Sequence, residues 1–248
     1  TYNTPMDGVR RASAHDIVFQ ARAGSPELNC CSVNGPRTLG MLSEWALMED
    51  DAGLALNYYG PSAVAVPLSS GARLMLTQNT DYPRSGRVEI VVGVLAGDVP
   101  HDDGPATARC RLSLRIPAWS ERTEASLNGE PLAPEAGQYL ALDREWRDGD
   151  RVLLDLEMSL RTWYGEREQA GRVSLYRGPI LLAYDRRFND VDPDDLPVPV
   201  CTDAEPSVAP WAGPPPSPWL LVRMPTTDGR PLYLCDFGSA GAAGTPYR

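Results

Sequence analysis

The stretch RCRLSLRIP, residues 109–117, alternates strictly. Cys110, Leu112, Leu114 and Ile116 fall on one side of an extended chain, and Arg109, Arg111, Ser113 and Arg115 on the other. Successive side chains of a strand point to opposite faces, so a period of two describes a half-buried strand with its apolar side in a core. That reading assigns Cys110 to the core. Similar runs lie on both sides: LALNYY (54–59), AVAVPL (63–68), RLMLTQN (73–79), RVEIVVGVL (87–95), TEASLNG (123–129), QYLALDREW (138–146) and RVLLDLEM (151–158). Turn residues separate them at Ser85-Gly86, at Asn128-Gly129, and at Asp148-Gly149-Asp150, which reads as a hairpin turn without a catalytic role. Short strands at this spacing predict an antiparallel β-sandwich. RVSLYRG (172–178) and PILLAYD (179–185) add a strand pair. Prolines then crowd residues 192–200 and 209–219, which read as an ordered, extended but irregular loop. WLLVRMP (219–225) and PLYLCDF (231–237) supply two last strands, after which no closing element is expected.

Upstream of the sandwich the period changes. In PRTLGMLSEWALMED (36–50), Leu39, Leu42 and Ala46 recur at helical spacing, and Met41, Trp45 and Met48 widen the apolar face. The spacing predicts a helix from Pro36, capped by Asn34, with Pro36 in the first turn where its missing N–H costs nothing. Cys30 and Cys31 then sit just upstream of a helix N-terminus. One helix cannot bury its own apolar face, so it either packs on the sandwich or belongs with further structure. The second reading is favoured, because the chain opens without Met and both ends read as cut. An exposed face of this kind would promote a homo-oligomer.

Composition narrows the function classes. The 248 residues carry a formal net charge of -10 with the two signs interspersed, which argues against a nucleic-acid or anionic-membrane surface and leaves a small neutral molecule or glycan as the easier partner. Every basic position other than the two histidines is Arg, so no lysine nucleophile is available. No apolar run is long enough to span a bilayer, and a soluble protein is expected, with the compartment open between a bacterial cytoplasm and export.

The five cysteines, Cys30, Cys31, Cys110, Cys201 and Cys235, do not form the framework of a small secreted domain. A disulfide between neighbours forces a strained ring, so a Cys30–Cys31 bridge is disfavoured. Inert burial, metal binding and nucleophilic catalysis stay open, because a helix N-terminus favours the thiolate needed for the last two. Zinc would suit two thiolates but takes four ligands, and His15 and Glu27 are the nearest others. For Arg37 a structural ion pair is favoured over a sugar contact. Solvated turns are favoured over calcium sites for Asp102-Asp103 and for Asp190, Asp192, Asp194 and Asp195. Packing is favoured over sugar stacking for Trp119, Trp146 and Trp163.

The pattern Cys30-Cys31-x-x-Asn34-x-x-Arg37, a helix, and then a sandwich containing LRIPAW, LNGE, YLALDREWRDGD and YRGPILLAY resembles the C-terminal portion of glycoside hydrolase family 127, the β-L-arabinofuranosidase-like family. The resemblance spans nearly the whole chain. It implies a mainly β chain whose β-sandwich is preceded by a short helical remnant of an (α/α)6 barrel. Residues 1–50 would end the incomplete catalytic barrel, 51–165 would form the sandwich, and 166–248 an incomplete C-terminal β region. It further implies a retaining hydrolase in which Cys30 is the nucleophile, forming a thioglycosyl intermediate, and a glutamate is the acid/base. Zinc would be held by Cys30 and Cys31 with an upstream Glu-x-Cys pair, and Tyr2, in TYNT, would contact the sugar. The upstream ligands and the acid/base glutamate have no counterpart in this sequence, so the missing N-terminal barrel segment is an implied partner and this chain alone is expected to be inactive. Ser32-Val33 stand where many members have proline, which leaves the substrate subtype open. The rivals are a noncatalytic sandwich that binds carbohydrate or props a neighbour, and a structural zinc domain.

Overall fold

The computed structural model describes residues 30–68, 70–95, 107–192, 195–197, 199 and 206–248. One helix, α1 (Cys30–Ala46), leads into strands β1 (Leu47–Asp50), β2 (Gly53–Leu56), β3 (Ser62–Pro67), β4 (Arg73–Thr80), β5 (Arg87–Leu95), β6 (Thr107–Arg115), β7 (Glu124–Leu127), β8 (Glu130–Leu132), β9 (Tyr139–Arg147) and β10 (Arg151–Asp155). β11 (Leu160–Tyr164), β12 (Val173–Arg177), β13 (Ile180–Tyr184), β14 (Ser207–Val208), β15 (Leu221–Met224) and β16 (Leu232–Asp236) follow. The chain is mainly β, with the helix ahead of the strands. One compact unit spans Met41–Met158, and the other contains the described residues 30–40 together with Ser159–Arg248, so that the boundary falls within α1.

In the first unit β6 behaves as its alternation requires: Leu112 and Leu114 are fully buried, while Arg109, Arg111 and Arg115 are exposed. It lies in a four-stranded sheet ordered β1-β2-β6-β9, facing a six-stranded sheet ordered β3-β4-β5-β10-β7-β8. Leu54, Leu112 and Trp146 from one sheet meet Leu76, Ile90 and Leu154 from the other in a single apolar core, so the unit is a β-sandwich. Cys110 is half-buried against that core.

Asn128 and Gly129 both adopt positive φ, 52° and 88°, and join β7 to β8 in the tight hairpin that Asn-Gly signals. Two pairings differ from the sequence reading. β2 runs parallel to β6, with Leu54 opposite Leu112, because the chain crosses to the other sheet for β3, β4 and β5 before it returns. Asp148-Gly149-Asp150 is not a hairpin turn, since β9 belongs to the first sheet and β10 to the second. It is a corner between sheets, pinned to β5 by Gly149 N–H donating to the Val92 carbonyl at 2.9 Å and Val92 N–H donating to the Asp150 carbonyl at 2.8 Å.

The second unit holds one six-stranded antiparallel sheet, ordered β11-β12-β13-β16-β15-β14. One face carries the cluster of Leu182, Val222, Met224 and Leu234. On the other, Cys235, Leu221 and Ala183 are covered by Phe188, Trp211 and Tyr247. The proline-rich segment at 209–218 is therefore ordered and irregular. Trp211 meets Phe188 edge-on at 4.9 Å, and the Arg187 guanidinium, 4.4 Å from the Phe188 centroid, donates to the Pro216 carbonyl. After β16 no further helix or strand is found among the described residues, and the chain turns back to the end of β13. Tyr184 and Arg248 exchange backbone hydrogen bonds of 2.8 and 3.1 Å, and buried Asp185 accepts from Gly241 N–H at 2.9 Å and from the Thr245 hydroxyl.

Candidate functional site

α1 begins earlier than the proline suggested. Cys30 and Cys31 are its first two residues, and Pro36 lies inside it. Asn34 does not cap the helix, because its carbonyl lies within it and accepts the Thr38 hydroxyl at 2.8 Å. As the seventh residue of the helix, Pro36 forgoes an N–H···O bond, and its ring crowds the carbonyl four residues earlier. The two cysteines consequently occupy the first turn, where unsatisfied N–H groups and the helix dipole concentrate positive charge. No carboxylate in that turn competes for it. The backbone of Cys30–Val33 is described but their side chains are not, and Tyr2, His15, Glu27 and Cys201 lie outside the described residues, as do Asp102, Asp103 and Asp194.

Two adjacent thiols are a soft donor pair of the kind zinc accepts. Among the described residues no group of three or more His, Cys, Asp or Glu is gathered to hold a metal.

The described cysteines downstream are poor nucleophiles. Burial pushes the Cys110 thiol up. Cys235, wholly buried on β16, is pushed up to about 12, by desolvation first and then by neighbouring Asp185 and Asp236. Both therefore stay protonated at neutral pH. Trp146 is fully buried as expected and Trp119 is half-buried, whereas Trp163, expected to pack, is 70% exposed. Arg37 is exposed and pairs with no described carboxylate. In the second acidic cluster, Asp195 closes a turn on the Asp192 carbonyl and pairs with Arg230 at 3.2 Å, both side chains exposed to solvent.

At the other end of α1 the structure reveals a polar network that the sequence reading missed. Asn57, just past β2, donates its backbone N–H to the Ala46 carbonyl and its Nδ2 to the Trp45 carbonyl, each at 2.8 Å. Its Oδ1 accepts the Tyr139 hydroxyl at the start of β9. Close by, Tyr59 donates to the Arg115 carbonyl at 2.7 Å and meets the Tyr82 ring edge-on at 6.1 Å. Burial raises both phenols above their ordinary range, with Arg115 working in the opposite direction. The only local signal was NYY at 57–59, which read as the end of a strand.

Residues 53–158 match the family model described as Beta-L-arabinofuranosidase, GH127 middle domain. Three solved structures share the fold. A glycoside hydrolase superposes with a TM-score of 0.69 at 21% identity, covering 98% of this chain and 45% of its own. Ara127N, a GH127 β-L-arabinofuranosidase from Geobacillus stearothermophilus T6, gives 0.67 at 20% identity over 89% of this chain and 36% of its own. A GH127 β-arabinofuranosidase gives 0.70 at 17% identity over 89% and 38%. The chain thus spans less than half the length of these structures. No curated protein matches it. Residues 53–158 are thus similar to the middle domain of glycoside hydrolase family 127, and over the wider chain the solved structures share the fold.

Proposed function

We propose that this chain is the C-terminal part of a retaining glycoside hydrolase that removes terminal β-L-arabinofuranosyl groups. One observation supports the reading above others: Cys30 and Cys31 open a helix directly ahead of a GH127 middle domain. The Cys30 thiolate, favoured by the helix N-terminus, attacks the anomeric carbon. The glycosidic C–O bond breaks, and the departing oxygen takes a proton from a glutamic acid of the longer protein. Water, deprotonated by the same carboxylate, then displaces sulfur, and two inversions give net retention. Tyr2 contacts the sugar. Cys30 and Cys31 would hold a zinc ion, which when bound keeps both sulfurs deprotonated and lends Cys30 the lability to leave. With the acid/base carboxylate and the other two ligands supplied from elsewhere, the isolated 248 residues turn over little or no substrate.

The test is hydrolysis of an aryl β-L-arabinofuranoside by the full-length enzyme and by its Cys30→Ser variant, with zinc content measured in parallel. Stoichiometric zinc and a loss of at least about a thousandfold in kcat for the variant are expected. Activity retained in the variant would demote the double cysteine to structure. Carbohydrate binding without hydrolysis, indifferent to Cys30→Ser, would favour a noncatalytic binding module.

A further inference from the structure

We propose that β11, an open edge of the second unit's sheet, is a homodimer interface, to which β11 of a second copy adds antiparallel about a two-fold axis through Thr162. β11 ends the order β11-β12-β13-β16-β15-β14, so among the described residues it pairs only with β12. The bonds that flank this ladder fix the direction of its backbone groups. The Ser159 carbonyl accepts from Gly178 N–H at 3.4 Å, and Gly165 N–H donates to the Arg172 carbonyl at 2.9 Å. Odd-numbered residues therefore bond inward to β12, and the N–H and C=O groups of Leu160, Thr162 and Tyr164 point to the open side.

Open edges are usually blunted by charge, proline or shortness. β1 ends in Glu49-Asp50, β3 ends on Pro67, β8 contains Pro131, β14 has two residues, and on β9 the Glu145 carbonyl is taken by Arg144 Nε at 3.2 Å. β11 holds neither proline nor acid, and its one charge is engaged on the inner side. Arg161 donates to the Gly178 carbonyl at 2.9 Å and lies 5.6 Å from the Tyr176 ring centroid. The strand instead presents Trp163 and Tyr164, 70% and 71% exposed, one to each face.

The strand carries its own complement. Across an antiparallel joint the outward-pointing residues must face one another. Centring on Thr162 sets it against its own copy, Leu160 against Tyr164 of the second copy, and Arg161 against Trp163 of the second copy. Leu160, Thr162 and Tyr164 then all exchange both backbone bonds. A threonine pair, an aliphatic–aromatic pair and a cation over an indole are favourable partners. A joint centred on Arg161 would oppose like charges, and one centred on Trp163 would set Leu160 against Glu166. Leu160 also packs on the cluster of Leu175 and Leu182, so the incoming Tyr164 extends an existing apolar face. Such a contact is isologous and closes as a dimer.

The test is sedimentation equilibrium of the 248-residue chain from about 1 to 100 µM, beside Thr162→Pro and Leu39→Glu. Proline at 162 spares the bonds to β12 but removes the central outward donor. Leu39→Glu charges the exposed face of α1, the other surface that could associate. Wild type and Leu39→Glu should dimerise, and Thr162→Pro should raise the dimer Kd at least about tenfold with unchanged circular dichroism. Residue-resolved hydrogen exchange on the wild type decides the matter if the proline variant does not fold. Raising the concentration should slow the amides of Leu160, Thr162 and Tyr164, while those of Arg161 and Trp163 are protected throughout. A monomer at every concentration, a dimer that survives Thr162→Pro or is lost in Leu39→Glu, or exchange at Thr162 that ignores concentration would overturn the proposal.

Discussion

The indole N–H of Trp146 donates to the carbonyl oxygen of Cys110, 2.9 Å away across the β6–β9 ladder. The ring is fully buried, with the Arg144 guanidinium 5.2 Å from its centroid. One side chain therefore fills the core and satisfies a backbone acceptor. Trp146→Ala should cost about 3–5 kcal/mol in denaturant unfolding of the sandwich. Trp146→Phe should cost less, removing the indole bond to the Cys110 carbonyl, and a neutral Trp146→Phe would refute the hydrogen bond's contribution.

Asp150 is buried at the corner between the two sheets of the sandwich, and its carboxylate accepts Arg147 N–H at 2.9 Å and Asn128 Nδ2 at 2.7 Å, with Arg144 at 3.4 Å. Asp150→Ala strands these donors and should cost about 2–3 kcal/mol. Thermal unfolding of the variant beside Asp143→Ala, an exposed partner of Arg109, separates a corner that matters from a surface pair worth under about 1 kcal/mol.

Asp185 is fully buried and accepts from Arg187 N–H at 2.8 Å as well as from Gly241 and Thr245. Asp185→Ala should release the segment after β16 and cost about 2–4 kcal/mol. Proteolysis is the discriminating measurement: cleavage within 237–248 should accelerate while the sandwich stays resistant. Equal resistance of that segment in both proteins would rule out the role.

Cys235 gives the second unit a pH dependence of known sign. The unfolded thiol ionises near its ordinary 9.0 and the folded one near 12, so both are protonated below pH 9 and stability is intact there. Between those values the unfolded state alone releases the proton, and stability falls by up to about 1.4 kcal/mol per pH unit. The decline from pH 9 to 12 should be shallower in Cys235→Ala. Parallel declines would mean that the thiol is not protected.

The strands were legible because a two-residue period is local: RVEIVVGVL is β5 to the residue. Leu47–Asp50 was misread as helix because Met48 extends the helical spacing, yet these residues pair with Gly53–Leu56, and partner strands override a weak local preference. The parallel β2–β6 seam, the corner at Gly149 and the return of the chain to Asp185 depend on residues far apart in sequence, which no window reports. The site divides the same way. Two adjacent cysteines are visible in any window as a candidate, whereas Asn57 acquires its contacts only when β2 brings it to the end of α1 and β9 brings Tyr139 to meet it.

The parallel seam between β2 and β6 also sets an order of assembly. β3, β4 and β5 pair with sequence neighbours, so their meander closes short loops and can form early. Leu54 can meet Leu112 only after that excursion is complete, and long-range pairing is what slows folding. In stopped-flow chevrons, Val92→Ala in the meander should slow refolding, whereas Leu54→Ala at the seam should chiefly hasten unfolding. The two halves of the first sheet, β1–β2 and β6–β9, thus join each other only after the meander between them in sequence.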